Sequence, residues 1–230
     1  MTPELLAAMQ AHAAEEFPRE ACGVVIEEAG AAKYWPCVNI ATDLEIMVAA
    51  PRSLIAAEDA GRLLGYAHSH AQGPPSPTFL DIKFCNRSEL PWWIVQAHGD
   101  QWSRLNPIGR KLVERQYVFG VDDCWSVCRE WYNTVMELDL PDFVRSFGFW
   151  TEGFEPHVHH MKDASLEEVS KDDVRRGDLL LFKLGAATIS HCGVVIGDGT
   201  MLHHMETSLS RYEQLNDKWA KRIAKVVRHI

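Results

Sequence analysis

Several things are missing from this 230-residue sequence, and each absence excludes a class of protein. No apolar run approaches the roughly 18 residues of a membrane-spanning helix. The opening Met1-Thr2-Pro3-Glu4-Leu5-Leu6 has neither a basic segment nor an apolar one behind it, so no signal peptide is expected. Basic residues are outnumbered, 23 Lys and Arg against 32 Asp and Glu, for a net charge of -9. That balance supplies no counterion release on a phosphate backbone, so nucleic acid is not an expected partner. It also disfavours loose adsorption to an anionic envelope, so an envelope substrate has to be met through a built site. Internal repeats and low-complexity segments are absent. The six cysteines (22, 37, 85, 124, 128 and 192) are scattered rather than closely spaced, which excludes a disulfide framework and reads as free thiols.

What is present is an ordinary globular composition, 47% hydrophobic and 24% charged. Thr2 and Pro3 start a helix whose apolar stripe is Leu5, Leu6, Met9, Ala13 and Phe17, and Pro18 ends it. Residues 21–26 form a buried strand, and a second is expected near Tyr34–Ile40. A helix over 52–64, a strand over 64–70 and a short helix over 79–87 follow, the last after a loop that Pro74, Pro75 and Pro77 keep irregular. Residues 92–97 and 101–105 form a hairpin. Periodicity lapses after Leu105, and Asn106-Pro107-Ile108-Gly109 marks a boundary, giving domains 1–108 and 109–230. Beyond it, Cys124, Val127, Cys128, Trp131, Val135 and Leu138 recur at helical spacing over 124–138, with Asp122 or Asp123 as the cap. Strands are expected at 179–182, 192–196 and 201–204, so the class is α+β in two domains.

Two constellations carry chemistry. His68-Ser69-His70 ends a strand, where a period of two points both imidazoles the same way, and Asp81 follows across the proline-rich loop. Two imidazoles and one carboxylate leave the fourth position of a tetrahedral zinc ion open for water. Glu20, beside the first strand, is the candidate to take that water's proton. Without a metal, the same residues would be buried strand histidines and a helix-cap carboxylate. The second constellation begins with Cys124 at a helix N-terminus, where the dipole is expected to lower the thiol's pKa. His191 heads a strand as its base. His203, twelve residues on across Gly197-Asp198-Gly199, is the orienting group, with His204 its neighbouring alternative. Cys128 and Cys192 are read as small buried hydrophobes. His157-Val158-His159-His160 is read as a solvated loop.

Glu20-Ala21-Cys22-Gly23, His68-Ser69-His70 and Thr78-Phe79-Leu80-Asp81 resemble the JAMM (MPN-type) metallohydrolases. The resemblance implies an α/β/α domain, zinc on His68, His70 and Asp81, Glu20 as general acid/base, and amide or isopeptide cleavage. The family usually has Ser at the position of Thr78, whose hydroxyl would help to hold the oxyanion. Tyr117-Val118-Phe119-Gly120, Asp123-Cys124, Gly177-Asp178-Leu179 and His191-Cys192-Gly193-Val194-Val195-Ile196-Gly197 resemble the NlpC-type peptidases, papain-like in fold. Here the implied roles are Cys124 as nucleophile, His191 as base, His203 as orienting residue and Tyr117 near the oxyanion or substrate. The usual Asp-Cys-Ser-Gly is Asp-Cys-Trp-Ser, so Trp125 is expected to close part of the cleft.

The order of the two domains in one short chain resembles the tail assembly proteins of lambda-type phages. That implies other tail-tip proteins as partners and peptidoglycan stem peptides as substrate, with cleavage between D-γ-glutamyl and diaminopimelate residues. It also implies a location at the phage tail tip, or in the host cytoplasm during assembly. Two rival readings are a structural tail-tip protein with vestigial sites, and a JAMM-driven protease that processes tail proteins.

Overall fold

The structure is a computed structural model describing all 230 residues. It contains two compact units, Thr2–Arg110 and Lys111–Ile230, with Met1 joined to the second. No helix is long and apolar enough to cross a membrane.

The first unit runs α1 (Pro3–Glu16), β1 (Cys22–Glu28), β2 (Ala31–Cys37), α2 (Pro51–Ala60), β3 (Arg62–His70), α3 (Phe79–Ser88), β4 (Trp92–Gln96) and β5 (Trp102–Leu105). Its sheet has the order β2-β1-β3-β4-β5 and is antiparallel except for the β3–β4 pair. The alternation of β1 decides the layers. Cys22, Val24 and Ile26 pack with Leu54, Ala57 and Ala60 of α2. The other face carries Gly23 and Tyr34, and α1 covers it, with His12 Nδ1 2.8 Å from the Tyr34 hydroxyl. Glycine is required at position 23 because a Cβ there would lie 2.4 Å from the Tyr34 ring. The second helix stops at Ala60 rather than 64, since Arg62 already belongs to β3.

The second unit adds α4 (Cys124–Met136), α5 (Pro156–His159), β6 (Leu166–Val169), β7 (Leu179–Phe182), β8 (His191–Gly197), β9 (Thr200–His203), β10 (Arg211–Gln214), α6 (Asp217–Ala220) and β11 (Ile223–His229). Its antiparallel sheet has the order β10-β9-β8-β7-β11-β6. Val127, Cys128 and Trp131 of α4 pack on Leu179, Leu181, Val194, Leu202 and Val227. The alternate residues Leu180, Phe182, Val195, Met201 and Val226 form a core on the other face, with Trp219 of α6 packed among them. Burial of each large side chain in such a layer stabilises the fold by roughly 1.5–3 kcal/mol. The turn Gly197-Asp198-Gly199 has φ of 123°, 50° and 64°, a left-handed run that two glycines make accessible. It folds β9 back on β8 so that His203 opposes Gly193, two residues from His191.

Two expectations require correction here. His157-Val158-His159-His160 is not a solvated loop: Pro156 starts a short helix and His157 is buried. Trp125 does not close the cleft. It is buried, with its ring 4.7 Å from Phe143 and 5.9 Å from His157.

Candidate functional site

In the first unit, Ser69 sets the local register. Its hydroxyl accepts from Ala21 N–H at 2.9 Å, and its own N–H donates to the Ala21 carbonyl at 3.0 Å. This ties the residue after Glu20 to the residue before His70. Asn39 fixes the same corner by donating to the carbonyls of Glu20 (2.8 Å) and Ile46 (2.9 Å). One ligand atom each from Glu20, His68 and His70 comes within 4.8 Å of the others. Asp81 completes the group, with Oδ1 3.2 Å from His68 Nε2 and Oδ2 3.5 Å from His70 Nε2.

Asp81 is positioned by a capping box. Its carboxylate accepts from the Thr78 N–H and hydroxyl, both at 2.7 Å, and its N–H donates to Thr78 Oγ1 at 3.2 Å. The Thr78 hydroxyl is thus engaged with Asp81 in this structure, whereas the sequence resemblance assigned it to an oxyanion. Glu45 lines the same pocket as Glu20, His70 and Thr78, although no sequence motif marked it.

The electrostatics follow from burial and these contacts. Burial would raise Asp81, but the two imidazoles and the Thr78 N–H outweigh it and hold the carboxyl far below the usual range. Burial lowers His68, whereas hydrogen bonding to Asp81 raises His70. Burial pushes Glu20 up to about 7, with His70 opposing. The donor set suits zinc. Bonds of ~2.0–2.2 Å give tetrahedral edges of roughly 3.3–3.6 Å, close to both imidazole–carboxylate separations.

In the second unit, Asp123 is the cap of α4, accepting from Ser126 N–H at 3.0 Å. Arg145 is bound to both of its oxygens at 2.8 Å. Cys124, the next residue, opens on a cleft of about 210 Å³ lined also by Tyr117, Trp150, Ser190, His191, His204, Met205 and Glu206. His191 acts on the thiol from one side, pulling its pKa down. Its Nε2 lies 3.1 Å from His203 Nδ1, and His203 Nε2 lies 3.1 Å from Glu213 Oε2. Glu213 also accepts from Trp219 Nε1 at 2.7 Å and from Arg211. His204 lies instead against Tyr117, ring centroids 5.2 Å apart.

The expected low pKa at Cys124 is overturned for the resting fold. A hydrogen bond with the Cys192 thiol, followed by burial, pushes Cys124 up to about 12, against the pull of His157 and His191. The helix N-terminus is present, but a second thiol and a closed surround outweigh it.

Fold and geometry define a two-domain chain, with a candidate metal cluster on one α/β/α unit and a Cys-His-His line on a papain-like one. The comparisons agree with that class. Residues 114–228 match the NlpC/P60 family and residues 2–106 match the prokaryotic homologs of the JAB domain. Tail tip assembly protein K of Escherichia phage lambda is 31% identical over 179 residues, 78% of this chain and 88% of that protein. Its namesake from Escherichia phage N15 is 29% identical over 233 residues, covering 100% and 96%. A JAB1/MPN domain protein from Archaeoglobus fulgidus is 18% identical with a TM-score of 0.31, over 45% of this chain and 84% of that one. The chain belongs to the NlpC/P60 family, in the two-domain form shared with the phage tail tip assembly proteins K.

Proposed function

We propose that this phage tail protein cleaves stem-peptide amide bonds of peptidoglycan with Cys124, and carries a JAMM-type zinc site on His68, His70 and Asp81. The observation behind the first half is the line His191–His203–Glu213, 3.1 Å at each step, with Cys124 beside His191 on the wall of the same open cleft. Glu213 accepts a hydrogen bond from His203 Nε2–H, which leaves His203 Nδ1 to accept from His191 Nε2–H. The free lone pair of His191 is then on Nδ1, the nitrogen left to serve Cys124. Because the thiol rests protonated, its proton passes to His191 Nδ1 as sulfur attacks the amide carbon, and returns to the leaving amine. Tyr117, on the cleft wall, lies where it can meet the developing oxyanion or the substrate.

Zinc in the other cluster would supply a polarised water or carbonyl. Glu20 stands beside both imidazoles to hold a proton, and Thr78 keeps Asp81 aligned. The kinship with the tail tip assembly proteins K supports association with other tail-tip proteins, and a location at the tail tip or in the host during assembly. The decisive experiment is digestion of purified peptidoglycan by the wild type and Cys124→Ala. Stem-peptide fragments should be released by the first only; equal release by both would sink the assignment.

A further inference from the structure

The hydrolytic reading leaves His157 and Cys192 without a task. His157 is 3% exposed, and neither ring nitrogen makes a hydrogen bond of full geometry, although the imidazole acts on the Cys124 thiol and lowers its pKa. Trp125, Phe143 and Phe149 surround it with rings at 5.6–5.9 Å. An imidazole enclosed by aromatic groups with neither nitrogen fully hydrogen-bonded is costly, and such exceptions call for an explanation. The explanation lies on the side of α4 and β8: the sulfurs of Cys124 and Cys192 and one nitrogen of His157 fall within 4.8 Å of one another, all buried. The two thiols already act on each other, Cys192 being the largest influence on the Cys124 pKa.

Two sulfurs and an imidazole are a soft donor set of the kind that takes zinc. Zn–S bonds of ~2.3 Å and a Zn–N bond of ~2.0–2.1 Å require ligand separations of roughly 3.5–3.8 Å, so the three groups need close by at most about 1 Å. A disulfide would use the two sulfurs and leave His157 unexplained. We propose that Cys124, Cys192 and His157 form a thiolate–imidazole site for a zinc ion, separate from His68, His70 and Asp81, and that the bound ion holds the peptidase off. The ion displaces one proton from each thiol, both pass to solvent, and no electron moves. Three protein ligands leave a fourth position, reached from the cleft that Cys124 lines. The Cys124 lone pair is then committed to the metal, and a chelator entering the cleft returns it. Binding stands on geometry alone; blocking rests on the reading of Cys124 as nucleophile.

Cobalt(II) titration of the reduced, metal-stripped full-length chain tests the site. A thiolate-to-cobalt charge-transfer band should grow in the near ultraviolet; the His68–His70–Asp81 cluster has no sulfur and gives none. Cys192→Ser and His157→Ala should weaken cobalt binding about tenfold or more, while Cys128→Ala keeps the band. His157→Gln serves where His157→Ala fails to give a native circular dichroism spectrum. Zinc should suppress Cys124-dependent wall cleavage reversibly, and less readily in Cys192→Ser. A wild type without the band, or Cys192→Ser and His157 variants that bind as tightly as wild type, would overturn the site. Saturating zinc that leaves cleavage unchanged would overturn the blocking. A band in a protein that cleaves no wall under any condition leaves the metal site standing and removes the nucleophile reading instead.

Discussion

At the scale of single residues, proton positions decide the chemistry, and two substitutions test them. Glu213 selects the tautomer of His203, which selects that of His191. Glu213→Gln can donate as well as accept, so it permits the wrong tautomer in part of the population. Hydrolysis by Cys124 should fall about tenfold, about 1.4 kcal/mol of transition-state stabilisation, with the far-ultraviolet circular dichroism unchanged. Undiminished kcat/KM would show that Glu213 only anchors β10. In the other unit, Glu20→Gln is nearly isosteric but cannot accept a proton. It should retain zinc by elemental analysis while losing about a hundredfold or more of any zinc-dependent hydrolysis. Loss of zinc would make Glu20 a ligand. The difference in legibility between these two residues is instructive. Glu20 adjoins a buried strand and stands before Cys22-Gly23, so a pattern marks it. Glu213 sits on an edge strand, Arg-Tyr-Glu-Gln, with no apolar alternation, and only the pairing of β10 with β9 brings it near His203.

At the scale of elements, both sites hang on helix caps. Asp123 joins the cap of α4 to a buried ion pair with Arg145. Removing Asp123 leaves buried Arg145 with Asp142 alone and α4 without its cap, so Asp123→Ala should destabilise the second unit by about 3 kcal/mol in denaturant unfolding. Burial alone would raise the pKa of Asp123, but the Arg145 charge prevails and depresses it. A depressed carboxyl stabilises the fold above its unfolded value of ~3.9 and loses that contribution as pH falls through the folded value. Wild-type stability should therefore decline below about pH 4, and the Asp123→Ala curve should be flatter there. Parallel slopes would assign the acid sensitivity elsewhere. The cap was legible as one of two adjacent aspartates, because a carboxylate before an apolar periodic run is the mark of a helix start. Arg145 was not, lying 22 residues on in an irregular segment. Strands β6 and β11 escaped for a related reason: Glu168 and Asp178 neutralise Lys225 and Arg228 across the sheet, so their sequences look like surface.

At the scale of the whole chain, two hydrolytic chemistries share one polypeptide but no reactive group. The first cluster offers only imidazole and carboxylate, so a thiol blocker has nothing to modify among its donors. The second unit's line Cys124–His191–His203–Glu213 needs no metal to attack an amide, and a chelator takes from it only the blocking ion proposed on Cys124. All six thiols are buried, and Cys124, at 7% exposed, is the one that opens on a cleft. Iodoacetamide near neutral pH should therefore alkylate Cys124 before the other five, at a modest rate because the resting thiol is protonated, with the labelled peptide identified by mass spectrometry. The same treatment should end peptidoglycan cleavage while the zinc on His68, His70 and Asp81 stays bound. A chelator should do the reverse, stripping that zinc and leaving stem-peptide release intact or raised. If the chelator ends wall cleavage, the metal cluster is the wall-cutting site and Cys124 is left to structure. If alkylation of Cys124 leaves cleavage at the wild-type rate, the same conclusion follows from the opposite direction.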